Sequence, residues 1–249
     1  MSASTPGFPT WVDLGTADLR DAQRFYTALF GWDVHYDGSY TTFLLNGRPV
    51  AGAGPLYDEG QPTAWSTYIA TADADDVAAR VAANGGKVLV APFDVADQGR
   101  MAAFLDPGGA PFSVWQAYSM SGAALFDVPG ALTWNELNTR DLAEARAFYG
   151  SVFGWAFRDS EMGGLPYLVA KLNETAICGL QPMPADLWPA DVSPHWMVYF
   201  AVHDCDRTAA HAAALGGLVV YPPTSLPIGR YAVLEDPQGG MFAVLASNR

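Results

Sequence analysis

Basic residues are scarce in this chain of 249 residues: 13 Lys and Arg stand against 26 Asp and Glu, a formal charge of −13. Nucleic acids and anionic membrane surfaces are held by basic patches, so neither is an expected partner. Cysteine is almost missing. Cys178 and Cys205 lack CxxC spacing, which excludes a disulfide framework and a cysteine metal site and leaves two small buried hydrophobes. No apolar run approaches the ~20 residues that span a bilayer. The opening MSASTPGFPT has no basic flank leading into an apolar stretch, so the cytoplasm is the expected location. There is no GxSxG elbow, no GxxxxGK[ST] phosphate loop, and no dinucleotide fingerprint between a strand and a helix. The many glycines sit instead in turns and helix stops.

What the chain does have is repetition. TWVDLGTADLRDAQRFYTALFGW, from Thr10 to Trp32, returns without a gap as TWNELNTRDLAEARAFYGSVFGW from Thr133 to Trp155, at a constant offset of 123. Such regularity marks two halves of one fold. Each copy reads as a short apolar strand, a polar turn ending in Asp18 or Asp141, and an amphipathic helix closed by Gly31 or Gly154. Leu19, Ala22, Phe25, Tyr26 and Leu29 recur at three- and four-residue spacing, which puts them on one helical face. Strands are expected around Val34, from Tyr40 to Leu45 and from Pro49 to Gly54, with tight turns at Asp37-Gly38 and Asn46-Gly47.

The pattern then restarts. Ala64 to Gly86 is another strand, acidic turn and helix, followed by strands near Lys87–Val90, Arg100–Leu105 and Pro111–Trp115, the last two joined by Asp106-Pro107-Gly108-Gly109. The second half repeats this from His195 to Gly217 and at Asp236-Pro237-Gln238-Gly239-Gly240, with offsets of 131 at the restart and 130 at the turn. Each half therefore holds the unit βαβββ twice, and the proline-rich stretch Pro182–Pro194 contains the extra residues of the second. With half of its residues apolar, the chain can fill two ordinary cores. The expected organisation is α+β: a domain over 1–117, a linker over 118–130 that packs on a domain surface through Leu125 and Phe126, and a second domain over 131–249.

DLxxAxxFY followed by LFGW or VFGW, the GGKV and GGLV segments, and DPGGAPFSV with DPQGGMFAV together resemble the vicinal oxygen chelate superfamily of glyoxalase I, bleomycin-resistance proteins and extradiol dioxygenases. The resemblance covers almost the whole chain. It implies that two units curl an eight-stranded, mostly antiparallel sheet into a cup with helices outside and the ligand inside. Which units share a cup stays open, since relatives differ in this. It also implies, in metal-using members, one divalent ion held by His, Gln or Glu from the first and last strands of the units. Carried onto this chain, those positions fall at Trp11 and Trp134, at Ser66 and Met197, and at Ser113 and Ala243. None offers the imidazole or carboxylate that a hard or borderline cation takes, so no metal ligand and no cofactor is expected. A register shift of two residues would bring in Asp13, Glu136 or His195 and make a divalent metal the alternative.

Alternation along each strand describes the lining that would replace the ion. Trp11 and Asp13 share a face in one half, Trp134 and Glu136 in the other; the restart strands add Ser66 and Tyr68, then His195, Met197 and Tyr199; the closing strands add Ser113, Trp115, Met241 and Leu245. Aromatic rings and thioethers suit a flat apolar molecule. Trp32, Trp155, Trp65 and Trp196 read as ordinary core. For Glu136 and Asp13, a proton-transfer role competes with a structural hydrogen bond to a tryptophan Nε1 or a strand edge, because a carboxylate on an apolar face must be paired, protonated or functional. His195, at the mouth of its strand, reads as a solvated edge residue or, alternatively, as a hydrogen-bonding partner of Glu136 that would make the two an acid–base pair. The recurring Arg100 and Arg230 are read as pairing with a carboxylate of the cup or its ligand, or as facing solvent; His35, His203 and His211 receive no role.

Two readings of function result. One is a metal-independent protein that binds a flat, aromatic, hydrophobic small molecule of the secondary-metabolite or antibiotic type, in resistance or as a biosynthetic accessory. The other is an enzyme on an aromatic or polyketide-like substrate: an isomerase, cyclase or lyase using Asp13, Glu136 or His195, or a metal-dependent extradiol-type dioxygenase. The duplication lets the chain act as a monomer that supplies its own pseudo-dimer, with a homodimer as the alternative.

Overall fold

The computed structural model of the chain describes residues 3–56, 58 and 60–248. The first βαβββ module runs β1 (Pro9–Thr16), α1 (Leu19–Phe30), β2 (Asp33–Tyr36), β3 (Thr41–Leu45) and β4 (Arg48–Pro55). The second runs β5 (Ala64–Ala70), α2 (Ala74–Ala83), β6 (Lys87–Val95), β7 (Gly99–Leu105) and β8 (Pro111–Ala117). The third comprises β9 (Leu132–Thr139), α3 (Leu142–Phe153), β10 (Ala156–Met162), β11 (Leu165–Leu172) and β12 (Thr175–Pro182). The fourth comprises β13 (His195–Ala201), α4 (Cys205–Ala214), β14 (Leu218–Leu226), β15 (Gly229–Glu235) and β16 (Met241–Ser247).

The strands form two eight-stranded sheets ordered β2-β3-β4-β1-β5-β8-β7-β6 and β10-β11-β12-β9-β13-β16-β15-β14. Within each module the first and last strands run parallel, and the hairpins between them are antiparallel. This is the expected α+β architecture, with modules one and two in one sheet and three and four in the other. One strand runs well past its expected end: β6 continues beyond Val90 to Val95 through two register shifts, which interrupt the period-two pattern that marks a strand in sequence.

The helices begin and end where their sequences say. Asp18 accepts from the backbone N–H groups of Arg20 and Asp21, and Asp141 from those of Ala143 and Glu144, satisfying amides that an α-helix leaves without partners. Gly31 and Gly154 take the left-handed conformation at φ 70° and 71°, which costs a residue without a Cβ least.

The chain divides into two compact units, each combining one module from either half. One holds the residues up to Trp11, 67–122 and 134–196. The other holds 12–66, 123–133 and the chain from Met197 on. In the second of these, the core joins Val12, Leu14, Ala22, Phe25, Tyr26 and Trp32 to Phe200, Cys205, Ala209, Ala212 and Phe242. In the first, Ile69, Val77, Val81, Phe104 and Phe112 join Leu137, Phe148, Tyr149, Trp155, Cys178 and Trp196. Both cysteines are buried and free, as expected.

Polar groups buried with these cores are satisfied by a device used once per unit. Trp65 Nε1 donates to Tyr26 Oη at 2.9 Å, and Tyr26 donates to Asp236 Oδ2 at 2.9 Å. In the other unit Trp196 donates to Tyr149 at 3.0 Å, and Tyr149 to Asp106 Oδ2 at 3.1 Å. Trp32 and Trp155 likewise give their indole N–H to the carbonyls of Gly130 and Gly7. The segment after β8 is packed down: Ala123 is buried, Leu125 and Phe126 lie against a core, and Ala124 exchanges hydrogen bonds with Pro49 and Arg48.

Candidate functional site

On β9, Leu137 enters the core with the helices. Alternation therefore turns Trp134, Glu136 and Asn138 to the opposite face of the sheet. Glu136 is 7 % exposed there, a carboxylate that needs a partner. Its partner is Tyr167 of β11, whose phenol donates to Oε2 at 2.7 Å and accepts from Trp134 Nε1 at 3.0 Å. To reach Glu136 the ring must cross β12, and the residue it crosses is Gly179, the register partner of Glu136. A Cβ added at Gly179 would lie 1.7 Å from the Tyr167 oxygen, so only glycine admits the ring. Burial, reinforced by the neighbouring carboxylate, holds the Tyr167 phenol far above its usual pKa and keeps it a proton donor.

A polar ladder continues from there. Gln181 Nε2 donates to Asn138 Oδ1 at 3.3 Å, and Asn138 Nδ2 meets His195 Nε2 at 3.5 Å. The other ring nitrogen, Nδ1, lies 2.9 Å from the Ser193 carbonyl, which can only accept, so the proton belongs on Nδ1 and the lone pair on Nε2. Burial lowers the pKa of His195, with the Ser193 carbonyl pulling the other way, and the imidazole is neutral. The alternative pairing of His195 with Glu136 is corrected by this geometry: the histidine engages Asn138, two residues farther along β9, because β13 begins beside that end of the strand. Trp188 of the proline-rich stretch sets its ring 5.7 Å from that of His195, and Arg140 anchors the stretch by donating to the carbonyls of Met183, Pro189 and Val192 at 2.8, 2.6 and 2.9 Å.

The first half carries the same device in the other compact unit. Tyr40 donates to Asp13 Oδ2 at 3.1 Å, and an added Cβ on Gly52, the register partner of Asp13, would lie 1.8 Å from the Tyr40 oxygen. Tyr40 and Tyr167, with Gly52 and Gly179, are functional candidates that sequence reasoning missed. The available signal was their common offset of 127, displaced from the 123 of the first strands by a longer β10–β11 hairpin, which corrects the expectation that the proline-rich stretch contains all the extra residues of the second half.

The remaining expected lining residues lie on strands whose alternate positions enter the cores. Ser66 and Tyr68 alternate with Trp65 and Ile69, Ser113 and Trp115 with Phe112 and Val114, and Met197, Tyr199 and Met241 with Val198, Phe200 and Phe242. Trp11 alternates with Val12 and is 3 % exposed. Trp115 is tied down by a hydrogen bond from its Nε1 to the Met120 carbonyl at 2.8 Å. Tyr68 pairs in register with Ser113, and Tyr199 with Ala243. Arg100 and Arg230 pair with carboxylates of their own modules: Arg100 with Asp75 at the start of α2 and Asp94 of β6, and Arg230 with Asp206 at the start of α4.

The chain belongs to the Glyoxalase/Bleomycin resistance protein/Dioxygenase superfamily, whose model matches residues 9–114 and 131–244. It is 44 % identical over 254 residues to a Mycobacterium tuberculosis protein described as "Putative glyoxylase CFP32", covering 96 % of this chain and 94 % of that protein. It is 40 % identical over 264 residues to the anthracycline biosynthesis protein DnrV of Streptomyces peucetius, covering 98 % and 95 %. The fold is also that of a Mn(II)-bound glyoxalase from Novosphingobium aromaticivorans, at a TM-score of 0.68 and 18 % identity over 97 % of this chain and 82 % of that one. The 2,3-dioxygenase LapB of Pseudomonas sp. KL28 gives 0.67 at 14 % identity, over 98 % and 94 %.

The metal that the fold family implies does not fit the side chains present. At the positions onto which the resemblance carries the family's metal ligands, Trp134 has only an N–H, already given to Tyr167. The others supply an indole, hydroxyls, a thioether and a methyl, none of which is an ordinary donor to a hard or borderline divalent cation. Among the described residues, no three of His, Cys, Asp and Glu gather closely enough to hold an ion.

Proposed function

We propose that the protein binds a flat aromatic small molecule without a metal, as an accessory to the making or tolerance of an aromatic secondary metabolite. The observation that carries this reading is the composition of the face bearing Glu136: an indole bonded to a phenol that is itself bonded to one carboxylate. Rings held by hydrogen bonds lose little further freedom when a planar molecule stacks on them, and one fixed carboxylate orients a phenolic edge. The 40 % identity to an anthracycline biosynthesis protein favours a polycyclic aromatic ligand.

The test is titration of tryptophan fluorescence with a dihydroxyanthraquinone, alongside metal analysis of the purified protein. Saturable quenching at micromolar ligand with no conversion of the quinone is the expected result. Absence of quenching, or stoichiometric Fe, Mn, Ni or Zn, overturns it.

A second reading, an acid–base enzyme, is favoured by one observation: His195 is neutral with its lone pair on Nε2, on the strand beside Glu136. Replacing Glu136 by Gln separates the two. Turnover of an aromatic substrate that the substitution abolishes while binding persists would make Glu136 a proton-transfer group; retained binding with no turnover in either form leaves it an orienting group.

A further inference from the structure

The tyrosine–carboxylate device occurs twice, in different compact units, and the two copies are not alike. Both set a tyrosine across a glycine onto a carboxylate of the first strand: Tyr167 over Gly179 onto Glu136, and Tyr40 over Gly52 onto Asp13. Two residues farther along the same strands, the copies diverge. In the second half the register partners are Asn138 and Gln181, whose side chains are hydrogen-bonded to each other. In the first half the same register positions are Gly15 and Gly54. The Tyr40 ring leans along Gly54, its Cδ2 3.2 Å from where a Cβ would be. The place of the asparagine is bordered by Leu56 Cδ2, the Ala64 carbonyl oxygen and Gln61 Nε2, 3.5, 3.9 and 3.9 Å from where a Gly15 Cβ would be. A methyl group, a backbone carbonyl and one amide thus stand where the other copy has a bonded amide pair. A structural hydrogen bond accounts for the glycines that the two rings cross, but it does not require an amide pair in one copy and bare backbone in the other.

We propose that each half carries its own ligand seat, so that one chain binds two planar aromatic molecules, with Tyr40 and Tyr167 as positioning residues that aim Asp13 and Glu136. This rests on the binding reading and extends it to a second site and to selectivity. The Glu136 seat, edged by the Asn138–Gln181 pair, takes a ring system whose rim carries hydroxyl groups that can donate to the carboxylate and bond the amides. The Asp13 seat, edged by glycine, Leu56 and the single Gln61 amide, has no bonded amide pair and also accepts a rim without hydroxyls.

Calorimetric titration of the full chain decides the matter, with a dihydroxyanthraquinone and then anthraquinone-2-sulfonate, whose ring system lacks the hydroxyls, as probes. The hydroxylated probe is expected to give about two sites per chain and the other about one. G179A forces the Tyr167 ring off its strand and into the seat, and G52A does the same to Tyr40. Each is expected to remove one site and leave the other, G179A abolishing the preference for hydroxyl groups. Because either alanine can perturb folding, Y167F and Y40F are measured beside them: each keeps the ring, loses the bond to the carboxylate, and is expected to weaken its own site about tenfold while the other stays unchanged. A wild-type stoichiometry of about one, or weakening of the same single site by variants in both halves, overturns the two-seat inference while leaving the binding reading intact. No binding of either probe overturns the binding reading itself.

Discussion

At the scale of single residues, the molecule solves one problem repeatedly: how to bury a carboxylate beside aromatic rings. Its answer is a phenol that donates to the acid and accepts from an indole, seen at Tyr26, Tyr149 and Tyr167. Burial raises the phenol pKa in all three, so each hydroxyl keeps the proton that the carboxylate needs. Removing the Tyr149 oxygen strands the Trp196 N–H and takes one donor from Asp106, which is itself pushed above the usual carboxylate range by burial. Tyr149→Phe is therefore expected to cost about 2–4 kcal/mol of unfolding free energy in urea titrations, and a loss under about 0.5 kcal/mol would contradict the account.

His195 makes a prediction of the opposite character. Its folded pKa lies below the ordinary value of about 6.5, so on acidification the unfolded chain takes up the proton first. Stability is unaffected above that value and declines as pH falls from it toward the folded pKa. His195→Gln is expected to remove this part of the slope, read from urea midpoints at a series of pH values; an unchanged slope would show that the imidazole is not held neutral.

At the scale of elements, the four modules share one grammar with local amendments. Asp141 caps α3 with two amide hydrogen bonds at 2.9 Å, and Gly154 closes it in the left-handed region. Asp141→Ala is expected to lower stability by about 1 kcal/mol, and Gly154→Ala by a similar amount, about 1 kcal/mol, because a Cβ is strained at positive φ; thermal melts of both variants check this. The repeated arginines belong at this scale as well. Arg100 and Arg230 bind acids in the first turns of α2 and α4, joining the third strand of a module to its helix. Their recurrence was legible in sequence, but their partners were not, since a strand arginine and a helix aspartate some 25 residues apart share no period.

At the scale of the whole molecule, the cores mix the two halves of the chain. Phe25 and Tyr26 of the first half share a core with Phe200 and Phe242 of the second, and Phe104 and Phe112 share one with Phe148 and Tyr149. Neither half owns a complete core. Residues 1–122 and 123–249 produced separately are expected to lack a cooperative thermal transition, and to regain one when mixed, followed by circular dichroism. A cooperative transition in either half alone would show that the helices find cover within their own modules.

The amino-acid sequence by itself determined the four βαβββ modules, their turns and caps, and which strand positions face away from the helices, because each depends on spacing within a single element: period two in strands, three to four in helices, aspartate before and glycine after. Through the family resemblance it also implied that indole, thioether and hydroxyl groups stand at the positions of the family's metal ligands. Only the tertiary structure decided that Tyr40 and Tyr167 complete the carboxylates, that His195 turns to Asn138, and that each core draws on both halves. These facts depend on which strand lies beside which and on where a glycine leaves room for a ring to cross. Such contacts join positions distant along the chain, whose only trace in one dimension is a repeated offset.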